Sequence, residues 1–400
     1  MSDLDDETQV FTNHNVYVLG AGFSKNAGLP ILKDFLNEMR SSVNWLKREK
    51  RPELGATRDV LLFRKSAASA ALRINMNVEN IEDLFSLAAA SGEESEANNI
   101  SNAIAATIEY CHQHAVRPAP LSVNVTSNTS VPPSWNKTKE GDETKHRYTV
   151  ELYDLYAGFL SGQLCDDKQY MHNTVITFNY DTQLEGSLLN IGVPIDYGFG
   201  KSNVAYDESW NKAQGNNEKL TVLKVHGSVN WFQNDRALGD LTVYRSYNDG
   251  YSKDADPYYR VVIVPPTWRK DFSGPLSDVW RRAIQALRTA TRIVFLGFSF
   301  PDTDSHIKYL LAAGLQENIS LRNIYCANPD ISVKKSFFRI VKRDLERQSV
   351  AEFHPIYTSH LLNRFAKQQA SYASLFNRSI SDKFSIEPFT LRGEEGTLVM

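Results

Sequence analysis

The segment VYVLGAGFS, residues 16–24, determines the expected fold of this chain. Its first four residues are apolar and run directly into Gly20, as in a strand that is buried on both faces and ends in a tight turn. A helical pattern of apolar residues follows from Pro30 to Met39. A strand, a glycine turn and a helix in this order form the repeating unit of α/β folds.

Five more short apolar runs follow the same pattern, each rich in β-branched residues. They cover residues 174–178, 221–225, 260–264, 292–296 and 323–327. Helical patterns lie between several of the runs, for example over residues 277–289. This alternation predicts an α/β fold with a Rossmann-like parallel sheet of about six strands.

An insertion separates the first two predicted strands, which lie about 155 residues apart along the chain. This distance is too long for one crossover connection. Residues 78–87 and 100–111 have apolar side chains at helical spacing, so we expect a largely helical inserted domain. Residues 117–146 are instead rich in Ser, Thr, Asn, Pro and charge, and this composition predicts a mobile surface loop.

These patterns predict the organisation of the whole chain. The Rossmann-like domain is expected to combine residues 1–37 and 171–330, with the inserted domain over residues 38–170. Residues 331–400 form an expected helical tail, with helical stretches at 334–347 and 359–376. The insertion and the tail are the surfaces that we expect to be available for assembly.

Composition excludes several classes of protein. The 400 residues are 42% hydrophobic and 23% charged, which excludes global disorder. With 44 Lys and Arg against 47 Asp and Glu, the net charge is −3, so the chain is not a dedicated nucleic-acid-coating protein. No run of about 18 apolar residues predicts a membrane span. The acidic start and three scattered cysteines favour a reducing, cytoplasmic location, and three thiols cannot form a four-cysteine zinc site.

Small, polar or titratable residues follow five of the six predicted strands. They are Gly20-Ala21-Gly22-Phe23-Ser24, Asn179-Tyr180-Asp181, His226-Gly227-Ser228, Gly297-Phe298-Ser299 and Asn328. Ligands of open parallel sheets bind at the carboxyl ends of the strands. We therefore expect these groups to share one edge of the sheet.

Each group has a chemical and a structural interpretation. The glycine turn lets backbone amides approach a diphosphate, although a plain tight turn needs the same residues. The Asn179 amide can hold a ribose hydroxyl or a water, while Asp181 can accept from an amide or can simply form an Asx turn. An unperturbed histidine titrates near neutral pH, so His226 can act as a base, although a lone histidine is more often structural.

Two other clusters have weaker chemical interpretations. The spacing within Cys111-His112-Gln113-His114 does not converge well on a metal from one helix, so a metal site there is disfavoured. The basic run over residues 47–51 is better explained as a solvated helix end than as a nucleic-acid contact.

Taken together, the five strand-end motifs resemble those of sirtuins. Residues 20–30, GAGFSKNAGLP, resemble the first nucleotide-binding motif, and residues 177–181, TFNYD, resemble the Thr-x-Asn-x-Asp motif. The pair His226-Gly227 matches the catalytic His-Gly. Gly297-Phe298-Ser299 resembles the later phosphate contact, and Asn328 resembles the asparagine that holds the adenosine ribose. The resemblance implies a sirtuin-type Rossmann-like sheet that binds NAD.

Two departures separate the chain from deacylating sirtuins. Those enzymes have Asp-Phe-Arg where this chain has residues 31–33, ILK, and they carry the zinc module that three cysteines cannot form. The pattern is more similar to bacterial sirtuin-like NAD hydrolases of anti-phage defence, of which residues 80–84, NIEDL, and 224–231, KVHGSVNW, look typical. The resemblance therefore implies an NAD glycohydrolase (NADase) that needs no metal.

The same resemblance implies partners. The chain looks like the sirtuin subunit that assembles with a hexameric HerA-type ATPase in the Nezha defence system. Only about 70 residues follow the last predicted strand, so a partner is expected to supply the sensor. The expected partners are NAD, further copies of the chain and this ATPase, with no direct nucleic-acid or membrane contact.

In the implied reaction, Asn179, His226 and Asp181 are the catalytic residues. Asn179 would hold the ribose hydroxyl or the attacking water, His226 would act as general base, and Asp181 would bind the carboxamide. The residues implied to bind NAD are Gly20, Ala21, Gly22, Phe23, Ser24, Tyr180, Gly297, Ser299 and Asn328. Among these, Gly20, Gly22, Ser24 and Ser299 would hold the diphosphate.

Three alternative functions remain open from the sequence. A module that binds NAD or ADP-ribose and reports it to a partner would need the same glycine turns, but no base. A sirtuin-type deacylase would act on an acyl-lysine peptide. A DNA-processing subunit is less well supported, because no carboxylate cluster has a convincing spacing.

Overall fold

A computed structural model describes most of the chain. The described residues are 13–74, 76–91, 94–126, 131–132, 134–140, 145–164, 172–200, 204–215, 218–234, 241–251, 259–264, 274–301, 306–355 and 384–386. Within these ranges, no helix combines the length and the apolar character needed to cross a membrane.

The strands belong to three sheets. In chain order they are β1 His14–Leu19, β2 Leu121–Thr126, β3 Asn136–Glu140, β4 Lys145–Val150, β5 His172–Thr177, β6 Ile195–Asp196, β7 Val204–Tyr206, β8 Leu220–Lys224, β9 Gly227–Asn234, β10 Leu241–Val243, β11 Tyr259–Ile263, β12 Arg292–Leu296, β13 Asn323–Ala327, β14 Ala351–His354 and β15 Phe384–Ile386.

Helices alternate with the strands along much of the chain. They are α1 Ala21–Ser24, α2 Phe35–Arg48, α3 Glu53–Ala71, α4 Ile81–Ser91, α5 Glu94–His114, α6 Leu152–Leu160, α7 Gln183–Asn190, α8 Glu208–Ala213, α9 Tyr247–Gly250, α10 Pro275–Thr289, α11 His306–Leu315, α12 Val333–Ile340 and α13 Arg343–Arg347. A single 3₁₀ turn, Lys25–Ala27, follows α1 directly.

The central sheet has seven parallel strands in the order β14-β13-β12-β1-β5-β8-β6. The first strand in the sequence, β1, lies in the middle of the sheet. The strands that follow it, β5, β6 and β8, lie on one side of β1, and β12, β13 and β14 lie on the other side. The strand order therefore reverses between β1 and β12. In open α/β sheets, such a reversal opens a crevice at the carboxyl ends of the two strands, where ligands bind.

The apolar runs form the strands of this sheet because both of its faces are covered. All residues of β1 and β12 are buried, as expected for parallel strands between two layers of helices. Beneath the end of β12, Phe295 packs on Phe300 with ring centroids 4.9 Å apart and on Phe337 at 6.2 Å. The predicted α/β class with a parallel sheet is confirmed.

The run at residues 260–264 is in a different sheet from the one predicted. It forms β11, which pairs antiparallel with β9 in a second sheet of order β11-β9-β10-β7. Val261 and Ile263 are buried while Val262 is only partly buried. This alternation is that of a strand with one covered face, and a short run rich in valine does not by itself show which sheet it joins.

The prediction of a surface loop over residues 117–146 was wrong. Strands β2, β3 and β4 occupy much of this segment and form an antiparallel sheet to which β15 adds. In β2 the buried residues Leu121, Val123 and Val125 alternate with partly buried polar ones. The polar composition reflects one outward-facing side of a strand, which period-two alternation identifies and composition does not.

The segment after β13 is also more mixed than the predicted helical tail. Helices α12 and α13 fall within the predicted stretch 334–347 and its margin, and β14 then adds a parallel strand to the edge of the central sheet. The predicted helix over residues 359–376 lies outside the described residues. The central sheet therefore has seven strands instead of about six: it lacks the run at 260–264, which lies in the second sheet, and it gains the short strands β6 and β14.

Replacing the central aromatic ring beneath β12 tests this core. Phe295→Ala should lower the free energy of unfolding by about 3–5 kcal/mol, because it leaves a cavity among rings that cannot fully close around it. Urea denaturation monitored by circular dichroism measures the change. Tyr309→Ala on α11, where the ring is 66% exposed, is the control and should shift stability by about 0.5 kcal/mol or less. Equal midpoints for the two variants would contradict the proposed packing.

Candidate functional site

One cavity of about 550 Å³ lies at the carboxyl ends of β1, β5, β8, β12 and β13. This volume is within the range of about 300–1,000 Å³ that is typical of small-molecule sites. Ten of the twelve residues predicted for the site line it: Gly20, Ala21, Gly22, Asn179, Tyr180, Asp181, His226, Gly297, Ser299 and Asn328. The other two, Phe23 and Ser24, are buried beside it.

The turns after β1 and β12 touch through their backbones. The Gly22 amide donates to the Gly297 carbonyl at 3.0 Å, and the Gly20 amide donates to the Leu296 carbonyl at 3.1 Å. A Cβ on Gly20 would lie 2.7 Å from the Gly297 oxygen, and one on Gly297 would lie 2.2 Å from the Phe23 nitrogen. Gly297 also has φ +61°. Both turns therefore require glycine for close approach, and Gly297 also for its left-handed backbone.

The side chain of Asn179 is oriented by the first turn. Its Nδ2 donates to the Gly20 carbonyl at 3.0 Å and lies 3.2 Å from the Ser24 hydroxyl. Because a carbonyl oxygen can only accept, the contact with Gly20 determines which end of the amide carries the hydrogens. Asn179 Oδ1 is then the acceptor that the residue can offer to a ligand in the cavity.

Asp181 is held from two sides. Its Oδ1 accepts from the Ser24 hydroxyl at 3.1 Å and from the Gln183 amide at 3.0 Å. The second contact is the Asx turn at the start of α7, the structural role that the sequence left open for this residue. Because Oδ1 is occupied, Oδ2 is the oxygen that Asp181 can offer to a ligand.

Ser24 contacts both site residues without lining the cavity. Its side chain is buried, and its hydroxyl lies between Asn179 Nδ2 and Asp181 Oδ1. Phe23 is also buried, packed on Tyr153 and Tyr156 with centroid distances of 5.6 and 5.5 Å. These two residues lie behind the cavity wall, where the sequence predicted direct contact with a bound nucleotide.

His226 lies where the chain passes from the central sheet to the second sheet. Gly227 has φ +82°, and a Cβ there would lie 2.1 Å from the Val262 oxygen. The Val264 amide donates to the His226 carbonyl at 2.9 Å, which fixes the backbone from the side of β11. The imidazole is almost fully buried, 4.9 Å from the Phe178 ring in an edge-on arrangement. The histidine therefore lines the cavity in a fixed orientation.

A buried ion pair lies beneath the segment 179–181. Lys224 at the end of β8 is 0% exposed, and its Nζ donates to Glu185 Oε1 at 2.7 Å, with the Glu185 side chain 3% exposed. The same ammonium group donates to the Asp181 carbonyl. The Tyr180 carbonyl accepts from the Val229 amide at 3.0 Å. Each residue of the segment is thus anchored by a hydrogen bond of its own.

Asn328 connects the ends of β12 and β13. Its Nδ2 donates to the Phe298 carbonyl at 3.0 Å, and its Oδ1 accepts from the Asp330 amide at 2.9 Å. Ser299, on the intervening turn, is exposed at the cavity. Hydrogen bonds from Ser332 lower the pKa of the nearby Asp330, so this side of the cavity carries a carboxylate at neutral pH.

Sequence reasoning missed several residues of the site. Lys25 and Lys33 add positive charge to the lining, and Ile81, Glu82 and Ile108 line it from α4 and α5 of the insertion. The clearest missed signal is Lys224, because a charged residue inside a run of buried apolar residues needs a buried partner. Its partner Glu185 lies 39 positions away in sequence, so spacing alone does not reveal the pair.

Comparison with known families finds a match over the part of the chain that carries the site residues from Asn179 onwards. Residues 173–339 match the SIR2-like domain model. The match includes Asn179, Asp181, His226, Gly297 and Asn328, and it begins after the glycine turn at residues 20–24. A SIR2-like domain in this region agrees with the resemblance found in the strand-end motifs. Comparison with curated protein sequences finds no significant match.

Solved structures of sirtuins are similar to the chain at low identity. Sir2 in complex with the inhibitor EX-527, 2′-O-acetyl-ADP-ribose and a deacetylated p53 peptide has 11% identity over 88% of this chain and 93% of that one, with a TM-score of 0.38. Sir2Tm bound to a propionylated peptide has 12% identity over 88% and 92%, with a TM-score of 0.35. A sirtuin solved in a study of substrate affinity has 12% identity over 88% and 93%, with a TM-score of 0.37.

Breaking the buried ion pair should destabilise the protein strongly. Lys224→Met leaves the Glu185 carboxylate buried without its counterion, at an expected cost of about 3–5 kcal/mol in the free energy of unfolding. The double variant Lys224→Met, Glu185→Leu should recover much of that loss, because no unpaired charge remains. Urea denaturation of the purified variants measures both effects.

The exposed pair Lys212–Glu208 provides the matched control for this prediction. Its two side chains are 72% and 77% exposed, so Lys212→Met should cost about 1 kcal/mol or less. A Lys224→Met variant as stable as Lys212→Met would contradict the role given to the buried pair.

Proposed function

We propose that the chain is an NAD hydrolase that cleaves the nicotinamide–ribose bond and releases nicotinamide and ADP-ribose. The observation that carries this proposal is the meeting of Asn179, Asp181 and His226 with the two glycine turns in one cavity at the strand-order reversal. The SIR2-like match over residues 173–339 supports it. The sirtuin structures with ADP-ribose derivatives and acyl peptides belong to proteins that bind those ligands, and we extend only the nucleotide to this chain.

The turns would hold the diphosphate. A backbone without Cβ atoms at Gly20, Gly22 and Gly297 lets the phosphates approach the main chain closely. Lys25 and Lys33, which line the same cavity, add positive charge. Because the Gly20 and Gly22 amides already donate to backbone carbonyls, these glycines contribute space for the diphosphate. Lys25 and Lys33 would supply the positive charge, and the Ser299 hydroxyl would supply a hydrogen bond.

Asp181 and Asn179 would orient the reacting end of the nucleotide. The Asp181 Oδ2 accepts from the carboxamide of nicotinamide, which fixes the ring that must leave. The Asn179 Oδ1 accepts from a ribose hydroxyl or from the attacking water. Ser24, whose hydroxyl lies between the two side chains, acts as a positioning residue for both. Fixed geometry of this kind lowers the barrier by placing reactants before the bond breaks.

His226 would take the proton that the reaction releases. When the bond between ribose C1′ and the nicotinamide nitrogen breaks, its electron pair leaves with neutral nicotinamide and an oxocarbenium-like ribose remains. A water oxygen then bonds to C1′ and gives its proton to the neutral imidazole, which returns it to solvent. The balance is NAD and water to nicotinamide, ADP-ribose and one proton. A base with a pKa near neutrality suits this step.

We further propose that this activity serves anti-phage defence by depleting NAD and is gated by assembly. An NAD hydrolase that acts without restraint would deplete the NAD of its own cell, so the free chain should be nearly inactive. The proposed partners are further copies of the chain and a hexameric HerA-type ATPase, which the resemblance of the sequence to the defence proteins supports. The insertion and the segment after β13 are the surfaces proposed for these contacts.

Removing either catalytic side chain should abolish NAD turnover in the folded protein. His226→Ala should reduce the rate by about 10²–10⁴-fold, the usual contribution of a general base. Asn179→Ala should reduce it at least as much, because it removes both the acceptor in the cavity and the contacts with Gly20 and Ser24. Chromatographic measurement of NAD, nicotinamide and ADP-ribose over time, on the chain mixed with the HerA-type ATPase so that turnover is high enough to compare, gives the rates.

The control variants replace a histidine and an asparagine that lie outside the cavity. His114→Ala, at the exposed end of α5, and Asn211→Ala, on the exposed face of α8, should leave turnover unchanged. NAD loss at the wild-type rate in His226→Ala would remove that residue from the mechanism. Unaltered NAD bound to the wild-type protein would favour the binding-module alternative, and NAD loss only with an acyl-lysine peptide would favour the deacylase.

Assembly should raise the rate of NAD loss. The purified chain with a hexameric HerA-type ATPase should consume NAD roughly 5–150-fold faster than the chain alone, the range of typical coupling between sites. Asn179→Ala in the same mixture should remove the gain, which shows that the chain and not the partner performs the reaction. Equal rates with and without the ATPase would contradict gating by this partner while leaving the NAD hydrolase proposal intact.

A further inference from the structure

Strand β9 begins with two fully buried polar residues. Ser228 and Asn230 are both 0% exposed, and because they are two positions apart in a strand, their side chains lie on the same face of it. Neither residue is part of the cavity lining. Burying a polar side chain is costly unless it forms hydrogen bonds, so the role of these residues follows from the partners that they contact.

The Asn230 amide is oriented by a backbone carbonyl. Its Nδ2 donates to the Tyr244 carbonyl at 2.7 Å, and because a carbonyl oxygen can only accept, the opposite end of the amide is Oδ1. This Oδ1 accepts from the Ser228 hydroxyl at 2.6 Å, and the same hydroxyl lies 3.3 Å from the Tyr180 carbonyl. The first route from Asn230 therefore ends at the carbonyl of Tyr180, a residue of the cavity lining.

A second route from Asn230 passes through Tyr197, which is also 0% exposed. Asn230 Nδ2 donates to the Tyr197 hydroxyl at 3.4 Å, and this hydroxyl donates to Glu185 Oε1 at 3.4 Å. Burial and the Glu185 charge raise the pKa of Tyr197, so the hydroxyl keeps the proton that it donates. Lys224 donates to the same carboxylate oxygen and to the Asp181 carbonyl. The second route therefore ends at the Asp181 carbonyl.

The two routes restrain the backbone on both sides of Asp181. A peptide unit is planar, so a hydrogen bond to its carbonyl oxygen restrains the whole unit. The Tyr180 carbonyl belongs to the peptide unit before the Asp181 Cα, and the Asp181 carbonyl belongs to the unit after it. With both units restrained, φ and ψ of Asp181 are fixed, and with them the direction of its side chain. Asp181 Oδ2 is therefore placed by side chains that do not line the cavity themselves.

We propose that Asn230 is a positioning residue for the nicotinamide end of NAD, and that it acts through Ser228 and Tyr197. This inference rests on the proposed function, in which Asp181 Oδ2 accepts from the carboxamide. Loosening the network should weaken that contact and leave the diphosphate unaffected, because the diphosphate is held at the glycine turns after β1 and β12. A residue with a merely structural role would affect both ends of the nucleotide equally, or neither.

Two conservative variants each interrupt one route, and two ligands separate the ends of the nucleotide. Tyr197→Phe and Ser228→Ala each remove one hydroxyl. Carba-NAD, a carbocyclic analogue that cannot form the oxocarbenium ion, retains the nicotinamide ring, whereas ADP-ribose lacks it. Isothermal titration calorimetry on the purified full chain should show carba-NAD binding weakened about tenfold in each variant and ADP-ribose binding changed less than about twofold, because only a hydrogen bond to a charged group is affected.

The consequences for turnover follow from the same misplacement. In the mixture with the HerA-type ATPase, kcat for NAD should fall by about 10–10²-fold in Tyr197→Phe and in Ser228→Ala, the loss expected when a reacting group is displaced slightly. Asn230→Ala interrupts both routes, so it should weaken carba-NAD binding more than either single-route variant. Melting temperatures measured on all three variants show whether they are folded.

A second buried tyrosine–glutamate pair provides the matched control. The Tyr247 hydroxyl donates to Glu53 Oε1 at 2.7 Å, and Arg51 pairs with the same carboxylate at 2.9 Å. None of these three residues lines the cavity. Tyr247→Phe also removes a hydroxyl from a buried carboxylate with a cationic partner. It should lower the melting temperature as Tyr197→Phe does, but leave the affinities for both ligands and kcat unchanged.

The outcomes distinguish this inference from the proposed function. Equal weakening of carba-NAD and ADP-ribose in Tyr197→Phe and Ser228→Ala would overturn the positioning role, and so would affinities as little changed as in Tyr247→Phe. Either result would leave the NAD hydrolase proposal intact. Wild-type protein that binds neither ligand would contradict the proposed function itself, and with it the role given to Asp181 and its network.

Discussion

Where β1 and β12 end, two backbone turns meet at hydrogen-bond distance, with the Gly22 amide 3.0 Å from the Gly297 carbonyl. No side chain fits between them, since a Cβ on Gly297 would lie 2.2 Å from the Phe23 nitrogen. Strands β1 and β12 are neighbours in the sheet, and the strand order reverses between them. Such a reversal opens a crevice that a ligand can enter. The contact therefore fixes the two halves of the sheet at the point where the cavity forms.

A second layer of polar contacts fixes the residues that face this crevice. The Lys224–Glu185 pair is buried at the end of β8 and holds the Asp181 carbonyl. A buried ion pair contributes little net stability compared with apolar residues of the same volume, since removing both charges from water is costly. Its effect here is orientation: Asn179 and Asp181 keep one backbone geometry, and their free oxygen atoms face the cavity. Such preorganisation is what the reaction proposed for this cavity would require.

The strand ends could be predicted from the sequence because parallel strands bring their carboxyl ends to one edge. Residues as far apart as Gly20 and Asn328 therefore meet at one cavity. Which partner a buried charge meets was not predictable in this way, because Lys224 and Glu185 come together only through the pairing of β8 with the neighbouring elements. The misplacement of residues 260–264 and the missed strands within 117–146 have a related cause: local composition does not show which face of a strand is covered.

Helix α5 makes the insertion part of the cavity wall. Ile108 of this helix lines the cavity, as do Ile81 and Glu82 of α4. The lining therefore comes from two parts of the chain: the strand ends of the central sheet, which hold the glycine turns, Asn179 and His226 in place, and the helices of the insertion. Motifs at strand ends identify only the first part, because the packing of a helix against a sheet edge depends on contacts that are far apart in sequence.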